Sequence, residues 1–471
     1  MDAQSFNAPA VVTAPRALVM ATAGVIATAL LMLPAAVNGF PFLFYDSGGY
    51  LEPAFSHIVV PGRSTIYGLL LRAGSFPNFW PVAILQSALC VWALGLVLRV
   101  HGLGGRPGVL VGLAAVLAVA TALPFVSAEL MPDIFAGLAG LALYLLLWRR
   151  RDLRTAEAWG LVAVLAIGGA SHNSVLAITL VCIVAALAAG ALIPPLRAQL
   201  RVRLALASVM IAMLLNPIAN FAIAGRFAQT PGGTAFIFGR LLEDGLVFRY
   251  LADHCPQIGL KLCALREQLP ATADDFLWDD DDAFKQLGGF EGGAAEMHKV
   301  VVGSLLAYPL DNVRLSIRAM LRQLVMVQSG DLMSEELTDS YDVIRDRVPA
   351  AYARMLTAIQ QQDPPIDFDR INVVHVPVAL GASLLLALAA GVAIWRRQRS
   401  IALLAGSMTV VLIANAAVCG ILSNPHDRYQ ARIAWIAVVV LFILAVSAAE
   451  AFRQRWPERL SGPVGSLPPG R

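Results

Sequence analysis

The sequence predicts an all-α polytopic membrane protein with about ten transmembrane helices, and three observations carry that expectation. Of the 471 residues, 58% are hydrophobic and 14% charged, with a mean hydropathy of +0.68, whereas a soluble domain is about 25% charged. Ten apolar segments approach the about 20 residues that a helix needs to cross a bilayer core. Arginines concentrate in every second connection between them, as in loops retained on the cytoplasmic side.

The segments are 17–37, 79–98, 107–125, 130–148, 157–171, 175–193, 204–224, 373–394, 401–421 and 431–450. Pro34-Ala35-Ala36 would also suit the end of a cleaved signal peptide, which would leave the remaining topology unchanged. Arg99 with Arg106, Arg149 to Arg151 with Arg154, Arg197 with Arg201 and Arg203, Arg396 and Arg397 with Arg399, and the tail arginines Arg453, Arg455 and Arg459 mark the cytoplasmic connections. Arg16 places the N-terminus on the same side. The expected organisation is an N-terminal membrane domain, 1–225, of about seven spans with a first outer loop at 38–78. An extracytoplasmic domain, 226–371, follows, then a C-terminal membrane domain, 372–452, of three spans and a cytoplasmic tail, 453–471. The implied location is the plasma (inner) membrane, with both termini cytoplasmic.

Charge is unevenly distributed. Residues 226–371 hold 22 of the 32 acids and all three lysines, Lys261, Lys285 and Lys299. With a net charge of +3 and no basic patch interleaved with aromatics, a nucleic-acid partner is excluded. The acid-rich segment is expected to be small and mostly helical. Thr234 to Leu251 reads as an interfacial helix, and Arg314, Arg318 and Arg322 recur every four residues, aligned on one helix face. That row is either a solvated face or a cationic stripe for anionic headgroups. Cys255 and Cys263 are the cysteines outside the spans, on the face where disulfides persist. A regular helix would hold them about 12 Å apart, but Pro256 and Gly259 interrupt it, so a disulfide is expected. Asp279 to Asp282 lack the Gly and terminal Glu of a calcium loop and read as a solvated acidic turn.

The chemically informative residues lie in the outer loops. The first carries Tyr45-Asp46-Ser47-Gly48-Gly49, then Arg63 and Tyr67. Asp46 is either a helix cap or a carboxylate held at the headgroup layer. Glu129 and Asp133 flank Pro132 between two spans, either complementing a helix N-terminus or acting as membrane-edge acids. His172 occupies a polar break between the fifth and sixth segments. His426, Asp427, Arg428, Tyr429 and Arg432 converge before the last span, where guanidinium forks suit a lipid-linked phosphate or anchor the interface. No phosphate loop, His-Glu-x-x-His site or Gly-x-Ser-x-Gly elbow competes.

Together these loops resemble the GT-C class of integral membrane glycosyltransferases, the group that includes protein O-mannosyltransferases and lipid A aminoarabinose transferases. The likeness rests on Tyr45-Asp46-Ser47 followed by Arg63, on Glu129 through Asp133, and on His426-Asp427-Arg428-Tyr429. The resemblance implies Asp46 as catalytic base, with Glu129 and Asp133 supporting the site, or a divalent cation in some members. It also implies a polyprenyl-phosphate sugar as donor, bound by Arg63 and Arg428 with Tyr67, His172, His426 and Tyr429 around it. The acceptor would be a lipid, glycan or protein hydroxyl of the cell envelope. No residue is assigned to a metal. The first motif departs from the Asp-Glu pair usual in the class. A transporter or lipid flippase, or a non-catalytic GT-C-like scaffold for envelope assembly, are the alternative functions.

Overall fold

The structure, a computed structural model, describes residues 14–278, 283–333 and 337–460. The acidic run 279–282 and the end of the expected tail, 461–471, lie outside the described residues. Among those described the chain is helical throughout, with no strand and one isolated parallel bridge between Phe42 and Glu129.

Among the described residues seven helices are long and apolar enough to cross a membrane: Arg16–Asn38, Trp80–Val100, Asn173–Leu192, Arg203–Ala224, Phe368–Trp395, Arg399–Leu422 and Asp427–Arg453. They identify a multi-pass membrane protein. An eighth span is added if the pair Ala294–Ala307 and Pro309–Val325, bent by 103°, counts as one. The other three segments expected to span are shorter helices, Pro107–Ala120, Ile134–Trp148 and Thr155–Ser171.

The reasons are local. Thr121 is extended (φ −143°, ψ 164°) and its hydroxyl donates back to the Leu117 carbonyl at 2.6 Å. The chain then restarts as Leu123–Ala128, with Pro124 in its first turn. Ile134–Trp148, at 15 residues, is about 22 Å long, short of the about 30 Å hydrocarbon layer. Ile134 through Leu147 are all buried, so this apolar run is a central core helix surrounded by protein. Gly137 and Gly140 admit its neighbours closely: an added Cβ would lie 2.4 Å from the Trp435 ring and 2.8 Å from Val411.

Residues 226–371 divide between two cores. Gly233 to Tyr308 build a separate one from Phe238, Leu242, Val247, Leu262, Phe276 and Val300, with Cys255 and Cys263 joined in a disulfide across 5.6 Å between Cα atoms. Met333, Leu337, Ile344, Met355 and Phe368 instead join the main core. This second part straps the loop after the first helix: Gln360 Nε2 donates to the Leu43 carbonyl at 2.7 Å, and Gly48 N–H donates to Ser340 Oγ at 2.8 Å.

Candidate functional site

The apolar run after the first helix explains how its loop is held. Phe40, Phe42, Leu43 and Phe44 are buried and draw the backbone into the bundle. There Phe42 N–H donates to the Ala128 carbonyl at 3.0 Å, and Leu130 N–H to the Phe42 carbonyl at 2.9 Å. The loop bearing Asp46 and the loop bearing Glu129 are thereby stitched together. Ser47 Oγ accepts from Phe44 N–H at 2.9 Å and closes the turn around Asp46. Ser64 caps the next helix, Thr65–Ala73, whose Gly68 lies so near Ser47–Leu51 that an added Cβ would be 2.3 Å from the Tyr50 carbonyl.

That approach lays Arg63 across Gly49 and onto Asp46. The two form a close ion pair, and the other Asp46 oxygen lies 3.6 Å from Arg428 Nη1. Asp46 precedes the Ser47–Leu51 helix but makes no capping hydrogen bond with its side chain. Arg63 also rests over the rings of Tyr50 (5.7 Å) and Trp278 (5.4 Å), which brings the separate 233–308 core to the edge of the site.

The Arg428 guanidinium lies 4.2 Å from the Phe44 ring centroid and 4.8 Å from that of Tyr429. Nη2 donates to the Tyr429 hydroxyl at 3.2 Å, while Nε and Nη1 are buried without a hydrogen-bond partner. Its backbone N–H donates to Asp331 at 3.1 Å. A cavity opens here, lined by Phe44, Phe125, Glu129, Asp133, Asp331, Met333, Arg428 and Arg432.

Deeper in, Asp133 makes no capping bond to the helix it precedes and pairs with Arg432 at 2.9 Å. Arg432 also donates to Ser174 Oγ (2.9 Å), Asn415 Oδ1 (3.2 Å) and Cys419 Sγ (3.2 Å). The second oxygen of Asp133 is buried without a hydrogen-bond partner. Burial, reinforced by the Asp133 charge, pushes the Glu129 carboxyl well above the ordinary carboxylate range.

The structure thus gathers Asp46, Arg63, Glu129, Asp133, Arg428 and Tyr429 around one region. His172 is linked at one remove. Its Nδ1 accepts from Ser174 N–H at 3.2 Å, and Ser174 bonds Arg432. His426 faces the 233–308 core instead, with Nε2 3.3 Å from Asp274 and 2.9 Å from Asn424 Nδ2. Burial raises the Asp274 carboxyl, but hydrogen bonds and charge from His426 and a bond from Asn424 outweigh it and leave it below its usual range. Tyr67 is fully buried; its hydroxyl donates to Gln86 at 2.8 Å, and Gln86 donates to the Glu129 carbonyl at 2.9 Å. It supports the second loop from behind and does not line the cavity.

Asp331 and Phe44 were not among the residues expected at the site, whereas Arg432 was expected with the polar group before the last span. For Arg432 a signal existed, since it follows Arg428 by four residues and shares its helix face. Asp331, distant in sequence and set in a polar stretch, carried none.

Among the described residues no group of three or more His, Cys, Asp and Glu side chains is placed to hold a metal ion. Comparison with protein-family models, curated proteins and solved structures yields no match.

Proposed function

We propose that the protein is a membrane glycosyltransferase of GT-C type that moves a sugar from a polyprenyl-phosphate donor to an acceptor hydroxyl at the outer face of the inner membrane. The observation that supports this reading best is Asp46 set between Arg63 and Arg428 beside an acid-lined cavity. Arg63 occupies one carboxylate oxygen and fixes the group. At 3.6 Å the contact of Arg428 with the other oxygen is too long for a hydrogen bond, which leaves that oxygen for a substrate hydroxyl.

In the proposed reaction the acceptor oxygen attacks the anomeric carbon as Asp46 takes its proton. The bond from that carbon to the donor phosphate breaks, and the lipid phosphate leaves with the electron pair. Arg428 offers preorganised N–H donors to the departing oxygens. Glu129, its carboxyl pushed up by burial, lines the cavity and leaves the base role to Asp46.

Transfer from a radiolabelled polyprenyl-phosphate sugar to envelope extract tests the reading. Asp46→Asn is expected to reduce turnover by about 10²- to 10⁴-fold, the contribution of a positioned base, with unchanged thermal unfolding. Full activity in this variant would overturn the assignment. A second reading, transport, draws on the buried Asp133–Arg432 pair, because ionisable groups inside a helical bundle often line solute pathways; vesicle flux that survives Asp46→Asn would favour it.

A further inference from the structure

The Pro309–Val325 helix has one face that no described residue covers. It packs on Arg399–Leu422 through buried Asn312, Ala319 and Gln323. Gly420 makes that contact close, since a Cβ there would lie 2.8 Å from the Ala319 carbonyl oxygen. On the far side Leu310, Val313, Ile317, Leu321 and Val325 are 84%, 58%, 49%, 54% and 59% exposed. Their three- and four-residue spacing makes them one stripe. Leu305 and Leu306, also exposed, extend it at the 103° elbow.

Arg314, Arg318 and Arg322 each follow a stripe residue by one position and are exposed, so a cationic row borders the apolar one. Among the described residues Arg322 lies 3.9 Å from Glu243 and within the electrostatic reach of Asp427, Arg318 is within that of Asp244, and neither Arg314 nor Arg318 forms a close ion pair. The partner that fits has apolar and anionic parts side by side. It must also lie next to Arg399–Leu422, a helix long and apolar enough to span.

We propose that this helix is a docking surface for anionic phospholipid. The stripe enters the acyl-chain margin of the bilayer, and the arginine row, its stems along the apolar surface and its forks outward, takes the lipid phosphates. The surface is independent of any transfer reaction.

The test uses the full-length protein in phosphatidylcholine liposomes with and without phosphatidylglycerol. Nitroxide labels on Leu310→Cys, Ile317→Cys and Leu321→Cys are expected to be reached by oxygen and protected from a water-soluble nickel chelate, unlike a label on Glu267→Cys, whose side chain is 83% exposed. Nickel access equal to that control at all three positions would overturn the proposal. Separately, in Arg314→Ala, Arg318→Ala and Arg322→Ala, phosphatidylglycerol retained through purification, measured by mass spectrometry, is expected to fall about fivefold per arginine. Retention unchanged in the triple variant would overturn the headgroup assignment.

Discussion

Arg432 and Asp133 form an ion pair at 2.9 Å with side chains only 1% and 5% exposed, joining the last membrane helix to the loop before the central one. Ser174, Asn415 and Cys419 accept from the guanidinium's Nη2, while Arg432 Nε and the second Asp133 oxygen are buried without a hydrogen-bond partner. Removing one member strands the other, which costs about 3–5 kcal/mol in buried pairs. Arg432→Met or Asp133→Asn is therefore expected to lower the unfolding temperature in detergent sharply. The double variant Asp133→Leu with Arg432→Met should recover most of the loss.

The placement of Arg428 makes a finer prediction. Arg428→Lys keeps the charge but loses both the planar guanidinium beside Phe44 and Tyr429 and its fork. Hydrogen bonds to charged groups contribute about 1.5–3 kcal/mol, so the KM for a polyprenyl-phosphate donor is expected to rise about 10- to 100-fold. A smaller change in kcat should accompany it, measured as the dependence of transfer on donor concentration.

Acid sensitivity should trace in part to His172. Burial, then the Arg432 charge, pushes its imidazole down to about 3, from an ordinary value of about 6.5. Between those values the unfolded chain binds a proton that the native chain does not, so this stabilisation is complete above about pH 6.5 and is lost as pH falls towards 3. His172→Asn, which retains a capping acceptor, is expected to flatten the unfolding temperature against pH across that window. Identical profiles would remove His172 from the acid response.

Gly68 holds the first loop against its following helix without touching the chemistry. Gly68→Ala would drive a methyl group onto the Tyr50 carbonyl, 2.3 Å away, and backbone cannot yield as a side-chain tip can. A destabilisation of about 1–3 kcal/mol is expected from such overpacking, with loss of transfer because Arg63 is displaced from Asp46. The paired readings are thermal unfolding and turnover.

Much of this fold was legible in the sequence because lipid imposes a simple rule: seven of the expected apolar segments appear as helices of spanning length within a few residues of their predicted bounds. The rule fails where an apolar run faces protein. Ile134 to Leu147 reads as a span by composition, yet it is a short central helix, and hydropathy alone cannot distinguish the two environments. In the site, Asp46, Arg63 and Arg428 were visible as polar residues in short loops on one predicted face, where few others compete. What spacing could not disclose is pairing at long range. Arg432 meets Asp133 across 299 positions, and Tyr67, promising beside Arg63, turns inward to Gln86 because its position faces the bundle. The division of 226–371 between two cores was likewise hidden, since both parts share the same polar composition.

The contact between Asp46 and Arg428 also dictates when the site can exist during biosynthesis. One partner leaves the ribosome soon after the first helix, and the other only as the final membrane helix begins to emerge. Until that last helix is inserted, Asp46 has Arg63 alone for company and the cavity lacks the wall formed by Arg428 and Arg432. A nascent chain that stops short of Arg428 therefore has an incomplete pocket, and the cavity closes only once the helix beginning at Asp427 is in place.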